Sequence, residues 1–140
     1  MGKVRETDIQ IRFADADVLG HINNTHLQEY FDLGKSDFSM HLIHTRPGLG
    51  EVSLVMVSYS ANFYAQTRLD DEVYVETSVS RIGNKSMTLF QRLIDRPTGR
   101  VNADCTSTLV AFDIRAQQSV PLPEKWKILW SEYLGGSELP

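Results

Sequence analysis

From Ile9 to Phe13 the apolar residues Ile9, Ile11 and Phe13 alternate with Gln10 and Arg12, the period of two that marks a half-buried strand. A polar stretch from Ala14 to Gly20 follows, and then the period changes. Leu27, Tyr30, Phe31, Gly34 and Phe38 recur at helical spacing, with Gln28, Glu29, Asp32, Lys35 and Asp37 on the other face, which predicts an amphipathic helix of several turns. Asn23, Asn24 and Thr25 are all types that cap helix N-termini, and Thr25-His26-Leu27-Gln28 fits the capping box. The helix can continue through His41-Leu42-Ile43-His44, but Pro47 and Gly48 end it.

Beyond this point the period is two again. Val55, Val57, Tyr59, Ala61 and Phe63 alternate with polar or smaller residues, as do Val73, Val75, Thr77 and Val79. Each run predicts a strand with one apolar face. Gly83-Asn84-Lys85 predicts a turn into a strand from Met87 to Ile94, and Arg96-Pro97-Thr98-Gly99 another turn before a strand from Val101 to Phe112. Pro123 is suited to the first turn of a short closing helix, Glu124 to Tyr133, and Gly135-Gly136-Ser137 is expected to fray. Strand, long helix, then about four antiparallel strands is an α+β order in which the stripe from Leu27 to Phe38 covers the sheet.

Composition narrows the function classes. At 140 residues, residues 1–140 make one domain, with enough surface to bury, about 68–70% at this size, to fold without staples. Fourteen basic against eighteen acidic residues leave a net charge of −4, which argues against a nucleic-acid partner. Cys105 is the only cysteine, so neither an intrachain disulfide nor a cysteine metal cluster can form. The first residues lack the apolar core of a signal peptide, and no 18-residue apolar run occurs. A soluble, cytoplasmic protein with no membrane partner is expected.

The densest polar cluster is Asp15-Ala16-Asp17-Val18-Leu19-Gly20-His21-Ile22-Asn23-Asn24, between the first strand and the capped helix. Free N–H groups at a helix start can steady the oxyanion of an attacked carbonyl, and a carboxylate beside them can act as base or nucleophile. The same Asp and Asn residues serve equally well as turn and helix caps. His21 either assists such a site or fixes the turn. His41-x-x-His44 has a metal-compatible spacing but lacks a third ligand, so no metal is assigned. Cys105 reads as a small buried hydrophobe, and no G-x-S-x-G motif points to a serine hydrolase.

The run Arg12-Phe13-Ala14-Asp15-Ala16-Asp17-Val18-Leu19-Gly20-His21-Ile22-Asn23-Asn24, followed by Tyr30-Phe31, resembles the signature of the hotdog-fold acyl-CoA thioesterases of the 4-hydroxybenzoyl-CoA thioesterase family. Downstream, Arg81-Ile82-Gly83-Asn84-Lys85-Ser86 is similar to the family's R-x-G-x-x-S hairpin. The chain has Gln66 and Asp70-Asp71 where the family often has Pro and Gly-Asp. The resemblance implies a curved antiparallel sheet wrapped around one long central helix, with active sites at a dimer interface. It implies hydrolysis of an acyl-CoA thioester without cofactor or metal, Asp17 as the catalytic carboxylate and Asp15 in support. On this reading His21, Asn23 and Asn24 complete the catalytic set, and Arg81, Gly83, Asn84, Lys85 and Ser86 hold the CoA end. A homodimer or dimer of dimers is expected, since a sheet covered by one helix leaves an edge open. Two alternatives stand beside it. One is an acyl-carrier-protein thioesterase or non-catalytic acyl-CoA binding module. The other is a hotdog hydratase or dehydratase, whose D-x-N-P-x-H context Asp17-Val18-Leu19-Gly20-His21 does not reproduce.

Overall fold

A computed structural model describes residues 2–43 and 52–137. The elements are β1 (Arg5–Asp8), a 3-10 turn (Phe13–Asp15), α1 (Asn24–Ile43), β2 (Val52–Phe63), β3 (Val73–Ile82), β4 (Ser86–Asp95), β5 (Val101–Asp113), β6 (Gln118–Ser119) and α2 (Glu124–Ser131). One antiparallel sheet of six strands runs β1-β3-β4-β5-β2, with β6 added beside β5. Helix α1 lies against one face of it, which is the hotdog arrangement. His44, Pro47 and Gly48 lie outside the described residues.

The helical stripe is where its spacing puts it: Leu27, Tyr30, Phe31, Gly34 and Phe38 are all buried. Gly34 lets the helix reach the sheet, since a Cβ there would stand 2.5 Å from Val75 Cγ1. The core runs under the whole helix. One cluster gathers Leu27, Tyr30 and Phe31 with Val73, Val75, Leu93 and Cys105. A second gathers Phe38 and Leu42 with Val79, Met87, Leu89, Leu109 and Trp130. Between them a buried amide spans the layers, with Gln91 Nε2 donating to Phe31 O at 2.9 Å and to Thr77 Oγ1 at 3.1 Å.

Three local expectations are corrected. The first strand is Arg5–Asp8, not Ile9 to Phe13. Its partner β3 begins at Val73, opposite Tyr74↔Asp8, so past Ile9 there is no backbone left to pair, and Phe13 is 86% exposed. This strand hid because its inward side chains are polar: Arg5 Nε and Thr7 Oγ1 donate to Asp37 of α1 at 2.9 and 2.6 Å. Secondly, the helix cap is Asn23 rather than Thr25, with Asn23 Oδ1 accepting the Thr25 N–H at 2.8 Å. Thirdly, the segment from Gly135 to Ser137 is anchored. Gly135 N donates to Val79 O at 2.9 Å, and the Ser137 hydroxyl donates to the buried Glu76 carboxylate.

Candidate active site

The turn before α1 is built on Asp17. Its N–H donates to His21 O at 2.9 Å, and its carbonyl accepts from Gly20 N at 3.0 Å. Gly20 closes the turn at φ +77°, a left-handed conformation that a Cβ disfavours. The Asp17 side chain ties the same loop, Oδ1 accepting the N–H groups of Leu19 at 2.9 Å and His21 at 3.0 Å. Oδ2 has no hydrogen-bond donor among the described residues, and the side chain is exposed. One oxygen therefore fixes the carboxylate while the other is free to act.

The turn is fastened to the segment that precedes β3. Ile22 N donates to Thr67 O at 2.8 Å and Leu69 N to Gly20 O at 3.0 Å, with a bridge between His21 and Arg68. Asn24, the first residue of α1, has no intrahelical acceptor for its N–H. It lines a cavity of about 340 Å³ with Ile22, Leu27, Phe63, Tyr64, Ala65, Gln66 and Thr67. Asn23, by contrast, spends its side-chain oxygen on capping the helix.

Two residues before Asp17, Asp15 has the opposite setting. It is 2% exposed and accepts from Tyr30 Oη at 2.7 Å and Arg12 N at 3.1 Å, with Arg12 Nη2 at 2.8 Å. Burial pushes its pKa up, but the hydrogen bonds from Tyr30 and Arg12 and the guanidinium charge outweigh that and bring it down to about 2. His26 Nδ1 stands 3.5 Å from Asp15 Oδ1 and 3.0 Å from Glu29 Oε1. Asp15 is thus an ionised staple between the turn and α1. The Tyr30 hydroxyl was not singled out from the sequence, although a tyrosine on a core-facing helical stripe needs a polar partner for its hydroxyl.

The second set of expected residues sits elsewhere. The β3–β4 turn closes through Gly83 N donating to Ser86 O at 2.7 Å, and it is tied down by Ala111 N→Lys85 O and Leu122 N→Asn84 O. Arg81 Nη1 lies 3.5 Å from Ser86 Oγ. Arg81, Asn84 and Lys85 are exposed, and Gly83 and Ser86 half-buried. The Asp17 turn meets the chain just before Val73, whereas this hairpin follows Ile82 at the other end of β3, about 30 Å away at the rise of a strand. Within one chain, Asp17, His21, Asn23 and Asn24 come together and the hairpin does not join them.

The remaining candidates are quiet. Cys105 is fully buried, and burial, with Asp104's charge, pushes its thiol pKa up to about 12, far from a reactive thiolate. No group of three His, Cys, Asp or Glu side chains among the described residues could hold a metal.

Comparison with known proteins bears on the family and the fold. A model of the thioesterase-like superfamily matches residues 11–128. The chain is 25% identical over 124 residues to the long-chain acyl-CoA thioesterase FadM of Escherichia coli K12, covering 84% of this chain and 89% of that protein. Among solved structures, the PA5185 protein of Pseudomonas aeruginosa superposes with a TM-score of 0.87 at 20% identity, over 99% of this chain and 100% of that one. SAV2348 of Staphylococcus aureus, solved in complex with CoA, gives 0.85 at 13% identity, over 100% and 89%.

Proposed function

The chain belongs to the thioesterase-like superfamily and is a thioester hydrolase, and from that premise we propose that it cleaves long-chain acyl-CoA with Asp17 as the catalytic carboxylate. The observation that carries this reading is the half-used carboxylate of Asp17, pinned by Leu19 and His21 N–H groups in the turn that leads into α1. The thioester carbonyl is polarised by the Asn24 N–H, which can follow charge onto the oxygen as the tetrahedral intermediate forms. Oδ2 of Asp17 then either attacks the carbonyl carbon, giving an anhydride that water opens, or takes a proton from an attacking water. In both routes the C–S bond breaks, CoA leaves as the thiol and the acid is released. His21 holds the turn through its backbone and Asn23 holds the helix start. The long-chain assignment draws on the likeness to FadM.

The CoA end belongs, on this proposal, to Arg81, Gly83, Asn84, Lys85 and Ser86 of a second copy. Strand β2 is twelve residues long and at the sheet edge, with Val55 and Val57 42% and 59% exposed. An edge of that length invites pairing, and a two-fold axis perpendicular to it would pair two copies of β2 antiparallel and set each Asp17 turn beside the opposite end of its neighbour, where the hairpin lies. The assembly is a homodimer or a dimer of dimers. No described helix is long and apolar enough to cross a membrane; a cytoplasmic setting fits the lone cysteine.

Free-thiol release from acyl-CoAs of graded chain length tests the reading. Turnover rising toward long chains is expected. Saturable binding without thiol release would instead make the chain a binding module.

A further inference from the structure

The Asp17 turn and the segment before β3 form a small antiparallel sheet of three extended pieces, bridged at Ala16↔Ile22 and His21↔Arg68. Ile22 N donating to Thr67 O and Leu69 N donating to Gly20 O flank the second bridge. His21 and Arg68 are therefore a non-hydrogen-bonded pair, whose side chains stand close together on one face. Burial separates the two faces. Ile22 and Thr67 are buried in the inward row. Asp17, His21 and Arg68 fall in the other row, with Asp17 and Arg68 exposed and His21 half-buried. Thr67 and Leu69 turn their backbone groups toward residues 20–22, so Gln66 turns its carbonyl to the opposite side. There Arg100 Nη2 donates to Gln66 O at 3.4 Å, and Arg100 Nε donates to Asn102 Oδ1 at 2.8 Å. Asn102 is fully buried and donates in turn to Thr67 Oγ1 at 3.0 Å, so the Arg100 guanidinium is oriented by a fixed partner.

Resting on the thioesterase reading above, we propose that Arg68 and Arg100 bind the first phosphate of the acyl-CoA, the one that ends the pantetheine arm. Charge is the first argument. Arg5, Arg12, Arg92 and Arg96 are each paired with a carboxylate. Arg68 and Arg100 pair with none among the described residues, although Asp70, Asp71 and Glu72 follow closely in the chain. Asp71 takes only the Arg68 backbone N–H, at 2.9 Å. Two uncompensated guanidiniums beside one segment favour an anion, and each can meet phosphate oxygens with two parallel donors. Length is the second argument. Neighbouring strands lie about 4.8 Å apart, which sets Arg68 about 10 Å and the Arg100 guanidinium about 15 Å from Asp17 across the row. The pantetheine arm runs about thirteen bonds from the thioester sulfur to phosphorus, about 15 Å at the reach per bond of an extended peptide chain. The first phosphate therefore arrives where the two guanidiniums are, and the nucleotide beyond it is left to the hairpin of the second copy.

The deciding measurement compares kcat/KM at low salt for three thioesters of dodecanoic acid, with pantetheine, with phosphopantetheine and with CoA. The phosphate should raise kcat/KM over plain pantetheine by about tenfold, as hydrogen bonds between charged groups allow. Arg68→Ala and Arg100→Ala should each lower it by about threefold on the two phosphorylated substrates, through KM, and leave the pantetheine ester unchanged. The Arg68 side chain makes no hydrogen bond among the described residues, so Arg68→Ala remains informative if Arg100→Ala, which strips Gln66 O and Asn102 of a partner, fails to fold. Equal loss on all three substrates, or loss on none, overturns the phosphate site and leaves the thioesterase reading intact. Loss confined to the CoA ester assigns the pair to the nucleotide and overturns its assignment to the first phosphate. No thiol release by the unaltered protein from any of the three overturns the thioesterase reading, and the site with it.

Discussion

Asp15 and Asp17 stand two residues apart in one turn and differ in almost every physical respect. Asp15 is buried, ionised well below the usual carboxylate range and held by Tyr30 and Arg12. Asp17 is exposed, uses one oxygen on its own loop and keeps the other free. A carboxylate that is 2% exposed and held by Tyr30 and Arg12 is out of reach of substrate, whereas one held by a single oxygen at the surface is oriented and still available. The difference separates a carboxylate buried as a staple between the turn and α1 from one that ties its own loop with a single oxygen and presents the other at the surface.

Asp17→Asn is the sharpest way to test that separation. The amide oxygen still accepts from Leu19 and His21, so the fold and substrate binding should survive. Turnover should fall by about two to four orders of magnitude, as when a general base is lost. Steady-state kinetics on a long-chain acyl-CoA would show it. If Asp17→Asn were nearly normal and Asp15→Asn dead with an intact fold, the roles would be exchanged.

Asp15→Asn should act mainly on stability, by about 1–3 kcal/mol in urea unfolding at neutral pH, because one of the amide's faces meets the Arg12 donors with a donor. The acid limb sharpens this. Asp15 titrates lower in the folded chain, about 2, than in the unfolded chain, about 3.9. Above about pH 4 both states are ionised and the full stabilisation is present. As pH falls from there toward 2 the unfolded state binds the proton first, and the stabilisation is lost. The substituted protein should show a shallower decline across that window. Parallel acid profiles for the two proteins would mean that Asp15 is not the staple.

The smallest effect concerns the distant hairpin. Arg81→Ala and Lys85→Ala should raise KM several-fold with kcat nearly unchanged, the signature of binding lost equally from ground and transition state. They should also weaken the salt dependence of activity. An acyl-pantetheine lacking the nucleotide is the control. Loss on both substrates alike, or on neither, would remove this hairpin from CoA binding.

Much of this layout is legible in the linear chain because it rests on periodicity. The stripe from Leu27 to Phe38, the period-two run of β3 and the Pro123 before α2 follow from local rules that hold wherever an element meets one apolar layer, whereas in β2 a bulge between Met56 and Ser58 puts Leu54 and Met56 on the core and leaves Val55 and Val57 of the expected apolar face exposed. The motif from Asp15 to Asn24 is legible for a related reason: a turn that must end in a capped helix restricts its residues, and the match to the thioesterase signature lies in those restrictions. Strand β1 escaped because Arg5-Glu6-Thr7-Asp8 has no apolar face; its inward partners, Arg5 and Thr7, answer to Asp37, thirty residues later.

What tertiary structure alone decided is which polar groups meet. Asp15 and Asp17 have the same side chain in nearly the same sequence setting, and nothing local tells them apart. Tyr30, brought over the turn by α1, converts the first into a buried staple and leaves the second in the open. The same holds for Gln91 of β4, whose amide meets Phe31 O of α1 and Thr77 Oγ1 of β3 only once the strands pair and the helix docks. Hydrophobic period is a property of neighbours along the chain and can be read there. Hydrogen-bond satisfaction is a property of neighbours in space, set by the register of strands and the depth at which Gly34 lets the helix settle on Val75.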